Sequence, residues 1–447
     1  MKHTAPGSNM AAARRDEARH LMNTYRRPPV VFVHGKGCYL YDERGREYLD
    51  FLGGIAVNAL GYSHPRIVKT IRREAARAIH LSNLFHNPYQ GPLARKLAEW
   101  SGLDRVFFTN SGTEAIEGAL KIARAYAHAR AAKRQAPATR VLALTNSFHG
   151  RTFGSLAITY PAKYREPFAP LMPGADFVRF NDVADLEAKF DSSVCAIVLE
   201  TIQGEGGIYP VSEAFWNRAR ELASANRAAL IADEIQCGLG RTGRAFAYQK
   251  FGSLPDIAAV AKPLAAGLPL GAVIANDEFA EALSPGLHGT TFGGGPLICA
   301  TALEALRIIE DEKLMKNARE RGAEIRAGLE KMAREFDFIR EVRGEGLLIG
   351  LDLSVEGAPF VEAALKRGLV INCTHEHILR FLPPFIVRTA HVKEFLARLK
   401  QVFAKTPRPK AVDVSASVTA NSSAAKLATA SAAAATLSQA ELPLEAR

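Results

Sequence analysis

Leu230-Ile231-Ala232-Asp233-Glu234-Ile235-Gln236 and, further on, Ile257-Ala258-Ala259-Val260-Ala261-Lys262-Pro263 decide how this chain is read. Each is a short, wholly apolar run that ends on charge. Continuous apolar runs mark strands covered on both faces, as in parallel sheets. Five more runs fit: Arg105–Asn110, Val141–Leu144, Phe177–Phe180, Cys195–Glu200 and Ala272–Ala275. With Leu230–Glu234 and Ile257–Ala261 they predict seven strands. Helical periods lie between them, for example over Gly112–Ala132 and Glu213–Ala225. The alternation predicts an α/β fold built on a mostly parallel seven-stranded sheet.

Outward from this sheet the pattern changes. Residues 30–51 alternate apolar and polar around Asp42-Glu43-Arg44-Gly45, which predicts a small antiparallel meander. After residue 295 come two long helices near 297–336. An α+β piece follows: strand Leu347–Leu353, a helix near 358–367, strands Leu369–Cys373 and Ile378–Leu382, and a helix at 391–404. The expected division is a flexible N-terminus (1–20), an N-terminal segment of the smaller domain (21–64), the large α/β domain (65–295), a C-terminal α+β small domain (296–404) and an Ala/Ser-rich disordered tail (405–447). Of 447 residues, 48% are hydrophobic and 23% charged, enough for a large core. The net charge of +11 comes without a long basic run or a nucleic-acid motif, so a solvated basic surface is expected. Cysteines 38, 195, 237, 299 and 373 include no C-x-x-C, which suggests neither a disulfide framework nor a zinc site. No signal-like or membrane-spanning run is read, and a cytoplasmic enzyme is expected.

In parallel α/β sheets, ligands sit beyond the carboxyl ends of the strands. Four groups fall there. Asn110-Ser111-Gly112-Thr113-Glu114 opens a helix, where free N–H groups and hydroxyls form an anion cradle; an ordinary N-cap is the plainer reading. Asp233 ends a buried strand and could hold a protonated ring nitrogen, or simply cap a loop. Lys262 follows an apolar strand and precedes a Gly/Pro-rich loop; desolvated, such a lysine becomes a nucleophile suited to Schiff bases, and otherwise it is a surface lysine. Phe148-His149-Gly150-Arg151-Thr152 could stack a flat ring and clamp a carboxylate, with His149 read as structural. One cofactor asks for all four: pyridoxal 5′-phosphate needs a phosphate cradle, an acid for its ring nitrogen, a lysine for its aldehyde and a wall for its ring. Gly238-Leu239-Gly240-Arg241-Thr242-Gly243 matches G-x-G-x-x-G but lacks the following helix and the later acid, so a nicotinamide-dependent dehydrogenase is a remote alternative. His375-Glu376-His377 reads as a polar loop, and no metal is expected.

The motifs Gly54–Gly61, Asn110–Ala115, Phe148–Thr152, Glu200–Gly207, Asp233–Gln236 and His288–Gly294 together resemble the class III (ω-amino) aminotransferases of PLP-dependent transferase fold type I, over about Tyr25–Phe403. Within that class the acetylornithine subgroup is the nearest. The resemblance implies that Lys262 is the Schiff-base lysine and that Asp233 holds the pyridinium nitrogen, with Gln236 near the phenolic oxygen. It implies Ser111, Gly112 and Thr113 at the phosphate, with Thr291 reaching in from the other subunit of a homodimer, and Phe148 on the ring. Arg151 would bind the remote substrate carboxylate, Glu200 would pair with Arg380, and Thr290 and Tyr25 would lie near the substrate. The implied reaction moves the terminal amino group of N2-acetyl-L-ornithine to 2-oxoglutarate. Ornithine, succinylornithine, 4-aminobutyrate and carrier-linked lysine are the alternative donors. The chain departs from the class at Thr201, Pro263 and Gly294-Gly295-Pro296, which bears on fine specificity.

Overall fold

In the computed structural model, residues 10–131 and 136–412 are described. The first three strands, β1 (Phe32–Lys36), β2 (Tyr39–Asp42) and β3 (Glu47–Asp50), form the expected antiparallel meander. Its turn is locally encoded. The Asp42 carboxylate accepts from the amides of Arg44 and Arg46, and Gly45 takes the left-handed φ of +77°.

The central sheet comprises β4 (Arg105–Thr109), β5 (Arg140–Leu144), β6 (Ala175–Val178), β7 (Val194–Glu200), β10 (Ala229–Asp233), β11 (Ile257–Val260) and β12 (Gly271–Ala275). The short strands β8 (Ile202–Gln203) and β9 (Tyr209–Pro210) pair separately. The order is β4-β12-β11-β10-β7-β5-β6, and every pairing is parallel except those of β12. All seven residues of β7 and all five of β10 are buried, as their unbroken apolar runs predict. The helix Gly112–Arg130 packs Ile116, Ala119, Leu120, Ala123 and Tyr126 against the sheet at spacings of three and four. Each fully buried Leu or Ile contributes about 1.5–3 kcal/mol.

The remaining strands are β13 (Ile339–Glu345), β14 (Leu348–Leu353), β15 (Leu369–Val370), β16 (Asn372–Thr374) and β17 (Ile378–Phe381). β13 was not anticipated: its burial is broken by exposed Arg340 and Glu341, so the sequence shows no clean alternation. The expected strand Leu369–Cys373 is two strands. β15 pairs parallel with β3, β16 pairs antiparallel with β17, and the chain changes sheets at Ile371. β6 lies two residues earlier than Phe177–Phe180, because the Phe180 amide donates to Thr145 Oγ1 and Asn181 turns at φ +58°.

The N-terminal segment contains a helix, Met10–His20, whose side chains from Ala13 on are exposed. Residues 405–412, expected to open the tail, are instead held to the body. Lys405 ends the helix Thr389–Lys405, Glu356 donates to Lys410 O and Val412 to Ser354 O, and Arg408 pairs with Asp337. Backbone pairing to the segment after β14 holds these residues; the tail expectation from 413 onward lies outside the described residues.

Candidate active site

The carboxyl ends of β4, β5, β7, β10 and β11 open onto one cavity of about 430 Å³. Ser111, Gly112, Thr113, Phe148, Arg151, Glu200, Asp233, Gln236 and Lys262 all line it, together with Asn110, His149 and Glu205. Lys262 follows β11, whose apolar strand carries it to the cavity floor. Burial, and then the nearby Arg380 charge, pull its ammonium below the ordinary lysine range; Glu205, Asp233 and Glu200 oppose them. The net lowering favours a neutral amine.

Asp233 is buried, and both its oxygens are engaged. One accepts from the Ile235 amide at 3.1 Å and the other meets His149 Nδ1 at 2.7 Å. His149, read as structural, is thus tied to the site's acid. Its Nε2 is buried with no hydrogen-bond partner among the described residues, which leaves Nδ1 at Asp233 as the ring's one polar tie there. Ser111 caps the helix Gly112–Arg130, and Glu114 accepts from both nitrogens of Asn110. The N-cap and the candidate cradle are therefore the same segment: Ser111 accepts the Glu114 amide, while Ser111, Gly112 and Thr113 at the helix start line the cavity. Thr113 Oγ1 sits 2.8 Å from Thr152 Oγ1 and 2.6 Å from Ser155 Oγ, and Glu117 anchors that hydroxyl set by accepting from Thr152 and from the Gly154 and Ser155 amides.

The expected Glu200–Arg380 pair is not formed. Arg380 is fully buried, and its Nη1 meets Glu205 at 2.6 Å, Gly204 O at 3.1 Å and Gln236 Oε1 at 3.1 Å. Glu200 instead accepts the backbone N–H groups of Phe148 and Gly204. The reason is geometric: Glu200 is still on β7, with both oxygens consumed by loop amides, whereas Glu205 lies on the following loop and reaches β17. Burial would raise the Glu205 carboxyl, but Arg380 overrides it and holds the group below its usual range. Sequence reading missed Glu205; a charged residue between two glycines after a buried strand was the available signal.

Arg151 stands over the Tyr164 ring at 3.6 Å from its centroid and within 5.5 Å of that of Phe148. Thr290 Oγ1 accepts from Asn110 Nδ2 at 3.2 Å, but Thr290 and Thr291 line a second hollow with Ser82, Asn83 and Gln90. Tyr25 is 71% exposed and does not line the cavity. The G-x-G-x-x-G run leads into a 3₁₀ turn, Ala247–Phe251, and buries Arg241 against Phe385, where it donates to Leu347 O and Pro383 O. His377 is held by Asp352, and no metal-ligating cluster occurs among the described residues. Nor, among them, is any helix long and apolar enough to cross a membrane.

A family model described as aminotransferase class-III matches residues 21–403. The chain is 45% identical over 389 residues to the acetylornithine aminotransferase of Methanocaldococcus jannaschii, a match that spans 87% of this chain and 96% of that one. A structure of the ornithine aminotransferase of Toxoplasma gondii, with partial occupancy of PLP at its active site, superposes with a TM-score of 0.83 at 34% identity, covering 89% of this chain and 95% of that one. The acetylornithine aminotransferase of Elizabethkingia anophelis gives a TM-score of 0.78 at 30% identity, over 88% and 99%.

Proposed function

The chain belongs to the class-III aminotransferases, and on that premise we propose that it moves the terminal amino group of N2-acetyl-L-ornithine to 2-oxoglutarate, a step of arginine biosynthesis. The products are N-acetylglutamate semialdehyde and glutamate. The observation that carries the reading is the convergence of Lys262, Asp233 and the start of the helix Gly112–Arg130 on one cavity, in a chain so similar to acetylornithine aminotransferases.

Pyridoxal 5′-phosphate fits this donor set: a buried acid with a histidine behind it, a desolvated lysine, and a helix start, Ser111–Thr113, on the cavity wall. When bound, the cofactor links to an amine through its aldehyde and draws electrons from the carbon that bears the amino group. Ser111, Gly112 and Thr113 would hold its phosphate, Phe148 would cover its ring and Gln236 would face its phenolic oxygen. Asp233, oriented by His149, would hold the proton on the ring nitrogen. Lys262, released from the cofactor by the incoming amine, would carry the proton away from the substrate carbon, the work of a general base. Its lowered proton affinity, caused chiefly by burial, suits that role.

Two donors of different shape use this one site. The acylated diamine reacts at an end without a carboxylate, while glutamate reacts beside one. Glu205 on Arg380 neutralises that end for the first; its release exposes a bidentate partner for the second. Arg151 would take the distal carboxylate, with Thr290 and Tyr25 nearby. We place the active sites at a homodimer interface, with Thr291 supplied by the second copy. Leu84, Phe85 and Phe292, each more than 60% exposed, lie beside or within the Thr290–Thr291 hollow and offer the apolar surface. The described cysteines are all free, which suits a cytoplasmic location.

Free ornithine is the second reading, favoured by the superposition on an ornithine aminotransferase. Steady-state kinetics with N-acetylornithine, ornithine and 4-aminobutyrate as donors, and 2-oxoglutarate as acceptor, test the choice. The highest kcat/KM should belong to N-acetylornithine; parity with ornithine would overturn the acetyl preference.

A further inference from the structure

Glu200 is left without the partner expected for it, yet it is among the most fully engaged carboxylates in the cavity wall. It ends β7 in register with Asp233 on the neighbouring strand. One oxygen accepts the Phe148 N–H at 2.9 Å and the other accepts the Gly204 N–H at 2.8 Å. These amides belong to separate loops. Phe148 follows β5 and walls the cavity. Gly204 precedes Glu205, and its own carbonyl accepts from Arg380. The Gly204 loop has little freedom besides: a Cβ there would stand 2.5 Å from the Gln236 amide, itself bonded to Arg380.

We propose that Glu200 is a positioning residue that joins the Phe148 wall and the Glu205–Arg380 latch into one unit, so that covering Arg380 while the acylated donor is bound depends on a residue that touches neither Arg380 nor the substrate. Only an ionised carboxylate accepts both amides without competition from its own proton. Burial lifts the Glu200 carboxyl to about 7, with Asp233 reinforcing and His149 opposing the shift. Lys262 and Cys237 are the other titratable groups that sense its charge. The bracket is therefore held by a group close to its own protonation.

The inference rests on the reading of Arg380 as the carboxylate holder, and the test separates the two. In Glu200→Gln one amide loses its acceptor. With the latch loosened Arg380 is left uncovered, so the KM for N-acetylornithine should rise roughly tenfold or more, while the KM for 2-oxoglutarate shifts far less. In a Glu205→Ala background, where the latch is already gone, Glu200→Gln should leave the N-acetylornithine KM almost unmoved. Equal KM shifts for donor and acceptor, or additive effects in the double variant, would overturn the bracket. If Arg380→Ala leaves the 2-oxoglutarate KM unchanged, the reading beneath it fails instead. Should Glu200→Gln not fold, hydrogen exchange on the wild-type holoenzyme decides. Glutarate, which has two carboxylates and no reactive keto group, should change protection at Phe148 and Gly204 together; a change confined to Gly204 and Glu205 would refute the coupling.

Discussion

Lys262 concentrates the chemistry in one side chain, and its setting predicts how activity follows pH. Burial disfavours the ammonium, so its proton leaves below the ordinary lysine range. The rate of proton transfer should therefore rise as pH increases through that lowered value and stay flat above it. Lys262→Ala should cut turnover by at least roughly 10²–10⁴-fold, the span expected for loss of a positioned acid–base group; near-normal turnover would move the central role elsewhere. Arg151 sets a second expectation. Its guanidinium is shelved on Tyr164 at the cavity, and among the described residues no acid is hydrogen-bonded to it. A neutral acylamino group beside the substrate carboxylate suits that setting better than a free ammonium does. Losing a charge-assisted contact costs on the order of 1.5–3 kcal/mol, so Arg151→Ala should lower kcat/KM for N-acetylornithine by roughly ten- to a hundredfold and narrow its lead over ornithine. Kinetics in which the preference persists undiminished would discard that assignment. The same cavity shows how residue types can be legible when pairings are not: Glu200 and Glu205 both stood in one motif, but only the path of the loop decides which reaches Arg380.

The segment Phe148–Ala157 illustrates what a short element can hold. Gly150 has φ +137°, and a Cβ there would run into Thr113 Oγ1 and Ser155 Oγ; one at Gly154 would meet Glu117. The glycines admit the hydroxyl set that braces Thr113. Gly150→Ala should cost about 1–3 kcal/mol in backbone strain alone and weaken pyridoxal phosphate binding, read as a higher half-saturating concentration in apoenzyme titration. A variant with wild-type melting temperature and cofactor affinity would show that the cradle does not depend on this packing. Elements with a single clean period were readable: β7, β10, β11 and the helix Gly112–Arg130 fall within a residue or two of expectation. β13 was not, because its exposed charges hide a strand whose partner is its immediate neighbour in the chain.

Taken as a whole, the fold closes on itself from both ends. β15, from the C-terminal part, extends the N-terminal meander through parallel pairing with β3. Residues 408–412 return to the segment after β14, held by two backbone hydrogen bonds and the Arg408–Asp337 pair. Each of these partly exposed backbone bonds contributes about 1 kcal/mol at most and the exposed ion pair little. Removing residues 408–447 should thus lower the apparent melting temperature by a few degrees, whereas removing 413–447 should leave these contacts intact. Identical melting curves for the two truncations would show that the return of the chain adds nothing. The proposed homodimer is checked by sedimentation: a monomer that is fully active at low concentration would remove Thr291 from the site.

The amino-acid sequence by itself determined the central sheet, the candidate reactive side chains and the class of chemistry. Those depend on local patterns: unbroken apolar runs, glycines where the backbone needs them, and charge placed at strand ends. What only the tertiary structure decided were the partners. Glu205 rather than Glu200 meets Arg380, His149 stands behind Asp233, Leu369–Thr374 divides between two sheets, and the chain beyond Lys405 turns back to the body. Each of these joins groups far apart in sequence or chooses between near neighbours on a loop. The choice follows from where strands end and which amides are already satisfied, and a one-dimensional pattern carries neither.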